Sequence, residues 1–358
     1  MTDIELTEIS EKIVQQSRQI ERIAVLGAGT FGTCLAQHLA DKGYQVIIWA
    51  RDQVVADCIN EEGYNPKYLS DFELSKNIEA TSDLADVRIE EAEVLLISIP
   101  TQSMRQVLKS LSELNIREVM DAKLLICAAK GIENKTLCLP IDIISDVFGE
   151  KVGRSSVILS GPSFAIEVIA REPTAVSVAS FDDERAMLAQ LVFHTPQFRA
   201  YTSSDPVGLE IAGALKNVIA IASGAAGGLN MQQNARAALL TRGLAEIRRF
   251  GTALGANPIT FIGLGGVGDL FLTCTSEKSR NYSVGYGLGQ GKSLERVLEE
   301  MNSVAEGVTT AKAAWNLAKK YEVDSPMIDQ VYNVLYCQKN LQEAVTHLLN
   351  RNAKSENH

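Results

Sequence analysis

The stretch LEIAGALKNVIAIASGAAGGL, from Leu209 to Leu229, holds a single cation, Lys216, among small and apolar residues. At helical spacing its neighbours three and four away are Ala212, Gly213, Ile219 and Ala220, so no carboxylate on the same helix pairs with it. The face it shares with Leu209, Ser223 and Gly227 is mostly small, which lets a backbone or a ligand come close. Such a lysine either snorkels its charge to water or, if buried, loses solvation. A pKa lowered from about 10.4 to about 8 by burial costs roughly 3 kcal/mol and suits proton transfer near neutral pH. Lys216 is therefore expected to be a general acid/base, with Lys216→Ala losing turnover while the unfolding midpoint changes little.

A second group of residues could hold phosphate. IAVLGAGTFGTCLAQHLADKG carries Gly27, Gly29 and Gly32 as GxGxxG directly after an apolar run and at the start of a helical pattern. The first glycine permits a tight turn, the second lets the backbone approach a pyrophosphate, and the third allows close helix packing. Unpaired N–H groups at the helix N-terminus then face the phosphates. The following run ends IIWARD, with Arg51 ahead of Asp52. A guanidinium there can meet a 2′-phosphate, which favours NADP or dual use, with NADPH as the reductant. GLGGVG at Gly263, Gly265 and Gly268 has the same spacing but no strand after it. It reads as a ligand-facing loop presenting Asp269 or as a plain structural loop, not as a second nucleotide site. Lys130 in ICAAKGIE, and Gly161, Ser163 and Ala165 in LSGPSFAIE, fall at the ends of candidate strands, where ligands bind in open α/β sheets.

These residues need elements to hold them. From Ile23 to about Tyr201 short apolar runs (IAVLG, QVIIWA, VLLISIP, KLLICAA, SVILSG, TAVSVA) alternate with helical patterns, predicting a doubly wound parallel sheet of the Rossmann type. After Asp205-Pro206 Ala and Gly rise and helical periodicity takes over, predicting an all-helical C-terminal domain. The expected division is a helical arm over 1–21 with Ile4, Ile9, Ile13 and Ile20 on one face, a dinucleotide-binding domain over 22–205, a helical substrate domain over 206–349 and a polar tail over 350–358. A chain of 358 residues exceeds the size at which single cores usually stop growing. Its formal net charge of −10 argues against nucleic-acid or anionic-membrane partners, so an anionic ligand needs locally focused cations. The six cysteines show no C-x-x-C pair or His/Cys cluster, which predicts reduced thiols, no metal and a cytoplasmic location. No signal peptide or membrane span is expected, the apolar run around Lys216 reading as a buried core helix.

In order along the chain, GAGTFGTCLA, ICAAKGIE, LSGPSFAIEV, EIAGALKNVIAIASG, GLGGVGDLFLTCTSEKSRN and VAEGVTTAKAA resemble the bacterial-type NAD(P)-dependent sn-glycerol-3-phosphate dehydrogenases over about Ile23 to Leu348. The resemblance implies reversible hydride transfer between NAD(P)H and dihydroxyacetone phosphate, giving sn-glycerol 3-phosphate for phospholipid synthesis. It also implies a helical domain like that of 6-phosphogluconate dehydrogenase relatives. By it, Thr30, Phe31, Arg51, Lys130, Ala165, Arg280, Val304 and Glu306 match cofactor positions. Lys130, Gly161, Ser163, Lys216, Asp269, Ser279, Arg280 and Asn281 match substrate positions, with Lys216 the proton-transfer lysine. Phe31 stands where many members have Trp or Tyr, and Ala50-Arg51 replaces a His-containing variant. The arm before Ile23 has no counterpart, and a homodimer is a possible assembly. A β-hydroxyacid dehydrogenase or ketopantoate reductase would also use a helical-domain lysine, but with Asn one turn later, where Ala220 stands here. A non-catalytic NAD(P)-sensing protein would need no such lysine.

Overall fold

The computed structural model describes residues 11–121, 123–301, 304–353 and 355–356. Two compact units emerge. The first comprises Met1–Lys130 and Cys138–Glu210, the second Gly131–Leu137 and Ile211–His358.

The first unit opens with a short helix, α1 (residues 11–17), whose Ile13 is buried with Ile20 in the same apolar core as the sheet residues Ile23 and Val25. Ile4 and Ile9 lie outside the described residues. The elements that follow are β1 (Arg22–Leu26), α2 (Thr30–Asp41), β2 (Gln45–Trp49), α3 (Gln53–Glu62), β3 (Ile78–Thr81), β4 (Val94–Ile97), α4 (Thr101–Asp121) and β5 (Leu124–Cys127). After them come α5 (Pro140–Phe148), α6 (Glu150–Ser155), β6 (Val157–Ser160), α7 (Ala165–Ile169), β7 (Thr174–Ala179), α8 (Asp183–Phe193) and β8 (Phe198–Ser203). Among the described residues the strands form one sheet in the order β3-β2-β1-β4-β5-β6-β7-β8. β1 to β6 are mutually parallel. Every residue of β4, β5 and β6 is buried, as central strands covered on both faces require.

The expected parallel sheet needs one correction, since β7 runs antiparallel to β6 and β8 pairs parallel to β7. The reason lies in the connection. Between β6 and β7 the only helix is the five-residue α7, about 7.5 Å long, too short to carry the chain back along the sheet for a parallel return. β3 and β8 were not among the expected strands. Both alternate buried and exposed residues over part of their length and carry charge, the pattern of a sheet margin.

The described part of the second unit is helical. It contains the length of α9 (Pro206–Gly228) beyond Glu210, then α10 (Gln233–Ala253), α11 (Asp269–Thr275), α12 (Arg280–Gly289), α13 (Leu294–Glu300), α14 (Glu306–Lys320), α15 (Pro326–Tyr336) and α16 (Leu341–Leu349). Helix α9 is long and apolar enough to cross a membrane, but it is mostly buried within the fold, as a helix that is apolar all round must be. Its glycines meet those of α12 backbone to backbone: a Cβ on Gly224 would lie 1.9 Å from the Tyr282 carbonyl oxygen, and one on Gly285 equally close to that of Ile221. This contact brings the N-terminal end of α12 beside the middle of α9.

Candidate functional site

In the first unit, the turn from β1 into α2 is built by two glycines that no other residue could replace. Gly27 has φ +111° and lies against the Ser98 carbonyl, while a Cβ on Gly32 would stand 1.8 Å from the Gly27 oxygen. Gly29 differs, because nothing lies within 4 Å of the place its Cβ would take. Helix α2 has no side-chain cap and no acidic residue in its first turn. Its N-terminal N–H groups and the open space over Gly29 fit a pyrophosphate, which makes this turn suited to a dinucleotide. Thr30 and Phe31 are half-buried beside it.

Asn65 was not foreseen from sequence. It is fully buried, and its Nδ2 donates to the Ala28 carbonyl (3.1 Å) and to Thr33 Oγ1 (2.9 Å), bracing the glycine turn. Its Oδ1 accepts the N–H groups of Lys67 and Tyr68, and the Asn65-Pro66 pair was the available turn signal. Beyond β2, Arg51 is exposed, while Asp52 caps α3 by accepting the Val54 N–H at 3.1 Å. At the ends of β5 and β6, Lys130 Nζ donates to the Gly161 carbonyl at 3.4 Å, and Ser163 Oγ donates to the same oxygen at 3.1 Å. These three expected site residues do come together, with Ala165 opening α7 just after them.

In the second unit the structure corrects the view of Lys216 as unpaired. The lysine is buried, and its Nζ donates to Asp269 Oδ1 at 2.5 Å and to Thr273 Oγ1 at 2.9 Å. Its partner stands 53 residues away on α11, which no local spacing reports. The Thr273 hydroxyl in turn donates to the Asp269 carbonyl at 2.7 Å. Thr273 was also missed, although DLFLT places it one turn after Asp269 on the same helical face. The ion pair offsets the desolvation of both groups and holds the ammonium charged. Breaking such a pair strands a buried charge at about 3 to 5 kcal/mol, so the expectation that Lys216→Ala leaves the unfolding midpoint unchanged does not hold.

GLGGVG forms a π-helical turn, Leu264–Gly268, that runs into α11 and delivers Asp269 to the lysine. It follows a 3₁₀ turn, Pro258–Ile262, instead of a strand. Ser279 caps α12 by accepting the Tyr282 N–H at 3.3 Å, and Arg280 is exposed at the first position of that helix. Asn281 is buried and spoken for at both ends: Nδ2 donates to Asn217 Oδ1 at 2.9 Å, and Oδ1 accepts the Gly307 N–H at 2.8 Å. It thus ties α9, α12 and α14 together near Val304, which is exposed, and Glu306, the first residue of α14.

The comparisons with known proteins agree with this arrangement. Residues 22–186 match the family profile of the NAD-dependent glycerol-3-phosphate dehydrogenase N-terminus, and residues 205–346 that of the C-terminus. The chain is 44% identical over 337 residues, 94% of its length and 100% of the relative's, to the glycerol-3-phosphate dehydrogenase, NAD(P)+, of Staphylococcus saprophyticus. The crystal structure of a glycerol-3-phosphate dehydrogenase from Coxiella burnetii superposes with a TM-score of 0.86 at 35% identity, covering 93% of this chain and 99% of that one. A ketopantoate reductase from Ralstonia eutropha shares the fold alone, with a TM-score of 0.58 at 14% identity over 90% of this chain and 99% of the other. With both profiles matched in order and the relatives covered end to end, the chain belongs to the NAD(P)-dependent glycerol-3-phosphate dehydrogenase family.

Proposed function

We propose that the chain catalyses reversible hydride transfer between NAD(P)H and dihydroxyacetone phosphate, with residues 22–205 binding the cofactor and residues 206–349 supplying the proton. The observation that carries this reading is the buried Lys216–Asp269–Thr273 cluster, a charged lysine fixed by two partners on one neighbouring helix. Gly27, Gly29, Thr30, Phe31, Gly32, Arg51, Lys130, Ala165, Arg280, Val304 and Glu306 would hold the dinucleotide. When bound, it supplies the hydride that reduces the ketone carbon.

The residues of the chain do the rest. As the carbonyl takes up hydride, negative charge grows on its oxygen, and the Lys216 ammonium both stabilises that charge and donates the proton. Asp269 and Thr273 keep the ammonium cationic and pointed. In a molecule of net charge −10, Arg280 and Lys130 supply the local positive charge that a phosphorylated substrate needs, with Gly161, Ser163, Ser279 and Asn281 around them. Arg280 suits the phosphate because its fork grips two oxygens at once. The same reading puts the enzyme in the cytoplasm as a homodimer, its product entering glycerophospholipid synthesis.

NADPH oxidation with dihydroxyacetone phosphate tests it. Lys216→Ala, assayed on its folded fraction, should turn over at least about a hundredfold more slowly with NADPH affinity little changed. Near-normal turnover returns Lys216 to a purely structural role, and ketopantoate used better than dihydroxyacetone phosphate would redirect the assignment.

A further inference from the structure

Helix α9 carries four buried polar side chains in an otherwise apolar sequence: Glu210, Lys216, Asn217 and Ser223. Three of them bond to residues of the second unit, Lys216 to Asp269, Asn217 to Asn281, and Ser223 to the Cys274 carbonyl. Glu210 bonds elsewhere. Its Oε1 accepts the Ile141 N–H at 2.8 Å, and its Oε2 is buried with no hydrogen-bond partner. Both residues belong to the first unit.

A buried carboxyl with one idle oxygen is a poor way to fill space, since an apolar residue would avoid the desolvation altogether. What it provides is an acceptor. Ile141 is the second residue of α5, and its N–H has no acceptor within that helix. The neighbouring Leu139 N–H is taken by Asp142 at 3.0 Å. Connectivity gives the bond its consequence. Glu210 is the last residue of the first unit before α9 continues into the second, and Ile141 follows three residues after the chain returns to the first unit at Cys138.

We propose that Glu210 is a positioning residue for Lys216, holding the second turn of α9 against the first turn of α5. The lysine lies six residues further along the same helix, about 9 Å in rise and about 120° around the axis, so the grip on α5 leaves the lysine's own face clear. The proposal rests on the assignment of Lys216 as the proton-transfer residue. Burial drives the Glu210 carboxyl well above the ordinary carboxylate range; the Ile141 N–H opposes this and the charge of Asp142 adds to it. The side chain therefore acts as a neutral acid, and glutamine, which keeps a carbonyl oxygen in the same place, can stand in for it.

The test uses the full chain with NADPH saturating and dihydroxyacetone phosphate varied. Glu210→Gln should keep kcat within about threefold, whereas Glu210→Leu, of similar volume but without an acceptor, should lose at least about tenfold in kcat while its KM for NADPH moves less than about threefold. Glu210→Met takes the place of the leucine variant if that variant does not fold. In a Lys216→Ala background the leucine change should add less than about a twofold further loss, because a residue acting through the lysine has nothing left to position. Wild-type kcat in the leucine variant, equal losses in Gln and Leu, or full additivity with Lys216→Ala would each overturn the proposal. Should Lys216→Ala alone turn over normally, the assignment of the lysine falls first, and the role given to Glu210 falls with it.

Discussion

Three helix N-termini in this molecule meet the same electrostatic demand in three ways. Each has unpaired N–H groups and a positive dipole end. Helix α3 is capped from within by Asp52, and α15 by a carboxylate from another helix, Glu246 of α10, which accepts the N–H groups of Met327 (3.0 Å) and Ile328 (2.9 Å). Helix α2 receives neither, and its first turn opens on the empty space above Gly29. The contrast between α15 and α2 shows how a binding site differs from a structural joint. Where the chain supplies its own anion the helix end is buried and closed; where it withholds one, an incoming phosphate completes the helix.

Supplying α2 with an internal anion should destroy that difference. Gly29→Asp places a carboxylate at the cap position in space that is already open, so the fold should be kept while NADPH affinity falls by about a hundredfold, close to 3 kcal/mol. Calorimetric titration with NADPH reads this directly, and unchanged affinity would remove the turn from the cofactor site.

Glu246 sharpens the other side of the comparison. Burial pushes its carboxyl up to about 7, against the pull of the two N–H donors and of Arg249. In the unfolded chain the group returns to its ordinary value of 4.5, so between there and about 7 the folded state binds more protons. The stability from this linkage is fully present below the ordinary value and is lost as pH rises through the folded value, by roughly 2 kcal/mol between pH 5 and 7. Glu246→Gln should flatten that part of the urea-unfolding profile. A slope that persists in the variant would assign it to other groups.

The smallest effect is expected at Arg51. With Asp52 committed to capping α3, the exposed guanidinium is the charged group at the end of β2 left to meet a 2′-phosphate. Arg51→Glu should weaken NADPH use relative to NADH use by about tenfold, near 1.5 kcal/mol, in paired steady-state assays. Equal losses with both cofactors would mean that the residue reads something common to the two.

GAGTFG and GLGGVG have identical glycine spacing, and the sequence distinguished them by what flanks each: an apolar strand run and a helix in the first case, neither in the second. The fold bore that out. Local pattern was enough because a strand, a tight turn and a helix start are each defined within a few residues. It was enough too for the central strands and for the helical C-terminal half, whose apolar periods are long and uninterrupted. By contrast, the direction of β7 depended on whether a five-residue helix could return the chain, and the margin strands β3 and β8 were too short and too polar to stand out.

The amino-acid sequence by itself determined which side chains could do chemistry: the glycines of the turn, the cations at strand ends, and a lysine with no partner on its own helix. Only the tertiary structure decided what those side chains touch. Lys216 gains Asp269 from 53 positions away, Asn281 turns from a free-looking amide into a tie between three helices, and Asn65 braces a turn it follows by more than thirty residues. The physical reason is range. Periodicity and turn chemistry are set by neighbours along the chain, whereas a buried charge or amide is satisfied by whichever group packing brings within 3 Å, and that choice is made by the whole fold.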